Sequence, residues 1–258
     1  MAAAPDPKTY ISTHTSDAIY IRDKSLVDEL IGELSFTEMA YFQIMGERPT
    51  PGQRRILDAA MVGLMEHGLT PSVVATRMVY MSCPEALQSA VAAGLCAVGS
   101  VFVGTMEGCA RLLDDIVAAD DRAARAREIA SEYHQDKKRL PGFGHNLHKP
   151  DDPRTPKFLE VAEREDIRGD HIAALRTLGQ AVDEVYGRHI TINATGGIAA
   201  ILREIDIPWD VMRGIAVIAR AAGLVGHIRE ERAHPAGMRM WELVEEGIPY
   251  AGDAPFDN

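Results

Sequence analysis

Apolar residues recur at helical spacing through most of this chain, and the exceptions lie at its N-terminal end. Residues 1–9 read as a frayed tail. Residues 10–22, YISTHTSDAIYIR, alternate weakly around a Ser-Asp centre, which predicts a short β-hairpin. Helical patterning starts with SLVDELIGEL, where Ser25 is placed to cap and Asp28 follows three positions on. In SFTEMAYFQIMGERPT, Ser35 is the expected cap and Gly46 the stop, with Met39, Ala40, Phe42, Ile44 and Met45 as the apolar face. Pro51 opens a third helix that ends near His67-Gly68. Residues 71–82 and 84–98 read as two more, the second rich in alanine, so the pair is expected to pack closely. A turn is predicted over 99–108, a charged amphipathic helix over 109–133, a Pro/Gly-rich loop over 139–156 and a further helix over 157–187. A polar turn then feeds a helix within 188–205, a long apolar helix spans 208–232, and 233–258 reads as irregular. The prediction is an all-α chain with a short N-terminal β-hairpin.

Composition narrows what such a fold can do. The chain has 258 residues, 46 % hydrophobic and 25 % charged, a balance that supports a buried core rather than disorder. A formal net charge of −11 argues against a nucleic-acid partner, which needs a basic footprint, but leaves room for an anionic small molecule held by local arginines. Cys83, Cys96 and Cys109 form no CxxC pair and read as reduced core thiols, in keeping with a cytoplasmic protein. No basic flank precedes an apolar stretch at the N-terminus, and apolar runs stop short of the roughly 20 residues that a membrane span needs. The histidines show no zinc-motif spacing with acids, so no metal site is expected.

Three polar segments interrupt the helical pattern. EHGLTPS carries His67 at a helix end. PGFGHNLHKPDDPR carries His145, able to exchange a proton near neutral pH, and Arg154, whose planar fork suits a carboxylate. INATGG carries Asn193 at a turn before a helix. His67 or Asn193 alone reads equally well as a capping or turn residue, and His145 as a histidine in a Gly/Pro-rich turn. Arg220, inside the apolar run VIARAAGLVGHI, needs either a buried acid or a ligand.

In order along the chain, these segments resemble the citrate synthase superfamily. VDELIGELSFTEMAYFQIMGERPT is similar to its early helix pair, EHGLTPS to its DHE/DHG turn, and GSVFVGTMEGCARLL to its GPLHGGANEAV turn. PGFGHNLHKPDDPR matches its PGxGHxxxxxxDPR loop with His and Arg in register. INATGGI stands at its NVDxxSG segment, and IARAAGLVGHIREE resembles its arginine-bearing helix. Phe102 stands where synthases place a catalytic histidine and where the citryl-CoA lyase module of ATP-citrate lyase has phenylalanine, so the resemblance is to the lyase-like branch. The overall length also resembles a lyase module more than a full synthase.

That resemblance implies a large helical domain formed by 1–103 and 206–258, and a small domain, 104–205, that closes over the site in a homodimer or higher oligomer. It implies a C–C lyase acting on citryl-CoA or a related 3-hydroxy-3-carboxyacyl-CoA, with coenzyme A entering as thioester and no permanently bound cofactor. His145 is then the candidate base at the substrate hydroxyl. His67, Arg154 and Arg220 hold the carboxylates of the oxaloacetate half, and Arg239 reaches a partner's site. Pro141, Gly142, Phe143 and Gly144 line the CoA pocket through their backbone. Asn193 replaces the family aspartate that moves a proton on the acetyl carbon, and an amide cannot do that near neutrality. A citrate or 2-methylcitrate synthase-like condensing enzyme is one alternative. A non-catalytic relative that binds a CoA ester or a polycarboxylate is the other.

Overall fold

In a computed structural model, which describes residues 6–252, the chain is mostly helical with one small sheet. Strands β1 (Ser12–His14), β2 (Ile19–Ile21) and β3 (Lys24–Ser25) pair antiparallel in chain order, so the expected hairpin gains a third strand. Part of the expected tail, residues 1–5, lies outside the described residues.

Among the described residues eleven α-helices follow: α1 (Phe36–Met45), α2 (Pro51–Met65), α3 (Pro71–Ser82), α4 (Leu87–Cys96), α5 (Thr105–Ala118), α6 (Arg122–Gln135), α7 (Arg154–Arg164), α8 (Asp170–Tyr186), α9 (Ala194–Arg203), α10 (Met212–Ala233) and α11 (Gly237–Gly247). Local chemistry explains several boundaries. Ser35 and Glu38 form a reciprocal capping box at the start of α1, and Gly46 ends that helix in the left-handed region at φ 86°. Thr50 and Gln53 do the same for α2, with Pro51 in its first turn.

Four expectations are corrected. Residues 26–30 form a single wide turn closed by Ile31 N–H donating to the Leu26 carbonyl, because Gly32, at φ 86°, ends the segment. The helix expected over 109–133 is two helices, since the Asp121 side chain accepts from Ala124 N–H and starts α6 afresh. The helix expected over 157–187 is also two, broken where Asp166 adopts a positive φ of 54°. The terminal segment is not all irregular: Glu231 of α10 accepts from the amides of Ala236 and Gly237 at 2.9 and 2.8 Å and nucleates α11. Among the cysteines, only Cys109 is fully buried, and Cys96 is exposed.

The core runs without a break through α2, α5, α8, α9 and α10. Close crossings depend on missing side chains. A Cβ on Gly94 would lie 2.0 Å from Thr76 Oγ1, which explains how tightly α4 meets α3. A Cβ on Gly223 would lie 2.2 Å from the Met65 carbonyl oxygen, where α10 crosses the end of α2. Helix α10 is long and apolar enough to span a membrane, but it packs against α2, α3 and α4 inside the fold. The turn after α2, the loop between α6 and α7, the start of α9 and the middle of α10 carry the polar segments of interest.

Candidate active site

The loop between α6 and α7 is fixed by a short ladder to the segment before α9. Gly144 N–H donates to the Thr191 carbonyl at 2.7 Å, and Asn193 N–H to the Gly142 carbonyl at 3.0 Å. Gly142 (φ 84°) must be glycine: a Cβ there would sit 2.6 Å from Cys109 Sγ and 3.0 Å from the Gly196 Cα. Burial pushes the Cys109 thiol up to about 12, so it acts as packing rather than as a nucleophile. Phe143 is buried, and among the described residues nothing donates to the carbonyls of Pro141 and Phe143.

This ladder places three imidazoles together. His67, His145 and His148 each offer a nitrogen within 4.8 Å of the other two. His67 Nε2 and His148 Nε2 lie 3.1 Å apart, and the His145 and His148 ring centres 4.4 Å apart. His145 Nδ1 accepts from the backbone N–H groups of Leu147 and His148, both at 3.0 Å. Its single lone pair is therefore used, and the ring proton sits on Nε2. In that state the Nε2 of His145 is a donor and the ring has no free lone pair, which bears on the base role expected of it. The same tautomer denies a metal ion its third ligand. Burial, then the charge of Arg154, lowers the His67 pKa. Burial, then His148, lowers that of His145, so both rings are neutral near pH 7.

Arg154, at the start of α7, is gripped by Asp152. That carboxylate accepts from Arg154 Nε at 2.9 Å, Nη2 at 2.8 Å and the backbone N–H at 3.1 Å, and from Ala194 N–H at 2.9 Å. Burial raises the Asp152 pKa, but these donors outweigh it and hold the group at about 2. One edge of the Arg154 fork is thus internal, and Nη1 is left for a ligand. Arg220, on α10, is only 4 % exposed, and its Nε and Nη1 have no partner among the described residues. It feels the charges of Glu66 and Arg154. Among the described residues no acid pairs with it directly, which leaves a buried cation uncompensated.

Asn193 caps α9. Its Oδ1 accepts from Thr195 and Gly196 N–H and from Thr195 Oγ1, and its Nδ2 donates to the Gly144 carbonyl at 2.9 Å. Because the Thr195 hydroxyl donates to Asn193, Thr105 must donate to Thr195 across their 2.8 Å contact. That chain joins the turn bearing Phe102 to the His145 loop. The Phe102 ring itself is 48 % exposed. Arg239 is not brought to the imidazoles: it lies exposed on α11 and pairs with Glu242 and Glu246 of the same helix.

Sequence reading did not single out His148, Asp152, Glu66 or His227. Asp152 was visible in the DPR motif, but only the fold shows it gripping Arg154. Glu66 Oε1 accepts from the amides of His67 and Gly68 at 2.8 and 2.6 Å, while its Oε2 meets His227 Nε2 at 2.8 Å. These two residues hold the His67 turn, and no local pattern links positions so far apart.

The site thus draws its histidines from the turn after α2 and the loop between α6 and α7, and its arginines from α7 and α10. The chain belongs to the citrate synthase family: the family model "Citrate synthase, C-terminal domain" matches residues 7–241. Among solved structures, citryl-CoA lyase from Hydrogenobacter thermophilus is similar at 32 % identity and a TM-score of 0.87, over 98 % of this chain and 97 % of that one. An ATP citrate lyase of Methanosaeta concilii, solved with (3S)-citryl-CoA, shares the fold at 18 % identity and a TM-score of 0.78, over 99 % of this chain and 43 % of that one. Citrate synthase of Haloferax volcanii is 27 % identical over 221 residues, 83 % of this chain and 56 % of its own. The chain thus spans little more than half the length of this curated relative.

Proposed function

We propose that the protein cleaves a C–C bond in citryl-CoA, or in a related 3-hydroxy-3-carboxyacyl-CoA, to give oxaloacetate or another 2-oxoacid and acetyl-CoA. The observation that carries this reading is Arg220, buried with two unpaired N–H-bearing nitrogens beside Arg154 and neutral imidazoles. A polycarboxylate is the ligand class that satisfies two arginines at once. The likeness to the Hydrogenobacter lyase along nearly the whole of both chains supports the lyase direction.

In this reading the tertiary hydroxyl lies against His145, whose Nε2–H holds its oxygen as it becomes a ketone. His67, Arg154 and Arg220 hold the carboxylates. The electrons of the broken C–C bond pass to the thioester as an enolate, and the remaining Nδ2–H of Asn193 faces it as a donor. The open carbonyls of Pro141 and Phe143 offer acceptors to the adenine amino group of CoA. Residues 104–205 form the part that closes over the ligand and excludes water. The apolar residues Trp241, Val244 and Ile248 of and beside exposed α11 pack on a second copy and bring Arg239 toward that copy's site.

A second reading, binding of a CoA ester or polycarboxylate without turnover, is favoured by Asn193, whose side chain is occupied in capping α9. Incubation with citryl-CoA, with oxaloacetate followed through malate dehydrogenase and NADH, separates the two. Release that disappears in His145→Ala is the expected result. Tight binding by calorimetry with no release would overturn the lyase reading in favour of the second.

A further inference from the structure

Family resemblance accounts for two of the three imidazoles that meet in the site, and His148 is the third. It stands three residues after His145, half-buried, with its ring 4.4 Å from that of His145; the His67 ring lies farther from His145, at 5.7 Å. Of the two neighbours, His148 is the ring packed closer against His145, and all three rings offer nitrogens within 4.8 Å of one another. The backbone N–H of His148 also fixes the His145 tautomer, so the two rings are positioned as one unit.

His67 and His148 face each other through Nε2 at 3.1 Å, which requires a proton on one and a lone pair on the other. We propose that His148 carries the lone pair and is the proton acceptor for the substrate hydroxyl, an inference that rests on the lyase reading above. In the resting site, His67 Nε2–H donates to His148. A bound substrate carboxylate takes over that N–H, and the freed His148 Nε2 meets the hydroxyl.

The step balances without a co-reactant. The O–H bond breaks and its proton goes to His148. The oxygen electron pair forms the C=O of the 2-oxoacid, and the C–C bond breaks with its pair passing to the thioester. The enolate carbon then takes a proton either from the His148 imidazolium directly or from a water that the imidazolium reprotonates, and the resting site is restored. The charged groups that bear on the two neighbouring rings are Asp152 and Arg154, with Arg220 beside Arg154 and Lys149 next in the chain. Two arginines and an imidazolium are tolerated together only while the substrate carboxylates are present, which ties proton uptake to a filled site.

The test is His148→Gln and His148→Asn assayed by oxaloacetate release beside the parent. The expected result is a kcat lower by about 10²–10⁴-fold with the KM for citryl-CoA little changed, and loss of the acidic limb of kcat/KM against pH. Added imidazole should restore at least part of the rate to His148→Gly, a rescue that a purely structural role would not give. A His148→Gln protein with parental kcat and pH profile overturns the assignment and leaves the lyase reading intact. So does a change confined to KM. A parent that releases no oxaloacetate removes both.

Discussion

Arg220 and Asn193 pull stability and chemistry in opposite directions. A buried guanidinium with unpaired nitrogens costs folding free energy that only a ligand returns. Arg220→Met is therefore expected to raise the stability of the ligand-free protein by about 1–2 kcal/mol, read in a urea titration, while abolishing binding of a polycarboxyl-CoA ester. Asn193→Asp restores the family's proton-transfer group but sets a carboxylate against the Gly144 carbonyl, where an amide now donates. The expected outcome is faster deuterium exchange into the acetyl-CoA methyl group, together with a loss of about 1–3 kcal/mol in thermal or denaturant melts. A variant that exchanges no faster than the parent would show that position 193 has no part in proton transfer.

Helix junctions carry the next set of consequences. Gly94→Ala forces α4 off Thr76 and the Ser72 carbonyl and should cost about 1–3 kcal/mol in a denaturant midpoint measurement. Glu231→Ala strips the start of α11 and leaves Arg77, itself 3 % exposed, short of its buried partner; about 3–5 kcal/mol of destabilisation is expected. The same junctions show where sequence reading succeeds. Helices α1 and α2 could be read from Ser35, Gly46 and Pro51 because their caps are local. The start of α11 could not, because its capping acid belongs to the preceding helix. At the site, the PGFGH…DPR loop and Arg220 stood out as chemistry in the wrong surroundings. His148 looked like an ordinary loop residue until the turn after α2 placed His67 against it. The His145 tautomer was likewise hidden, being set by two backbone amides.

The whole molecule is held around the site by titrating clasps with opposite pH behaviour. Asp152, pulled down to about 2 from 3.8, contributes its stabilisation above the ordinary carboxylate range and loses it as pH falls toward about 2. His189 is clasped by Asp183 at 2.6 Å and Asp151 at 3.0 Å, and these partners, Asp183 first, raise its pKa. Its contribution is complete below the ordinary histidine value and fades as pH rises through the raised one. His189→Gln should therefore lower the melting temperature below the ordinary histidine value of about 6.5, and the deficit should shrink as pH rises above it, flattening the alkaline slope.

The buried position of Arg220 also bears on how quickly a ligand arrives. A CoA ester is a polyanion, and this chain carries a formal charge of −11. At long range the two repel, and the guanidinium acts only over the last few ångströms, inside a distance that dissolved ions barely screen. Added salt therefore weakens the repulsion more than the capture. Association should speed up as ionic strength rises from about 0.01 M, where the screening length is about 30 Å, to about 0.1 M, where it is about 10 Å, the reverse of an electrostatically steered encounter.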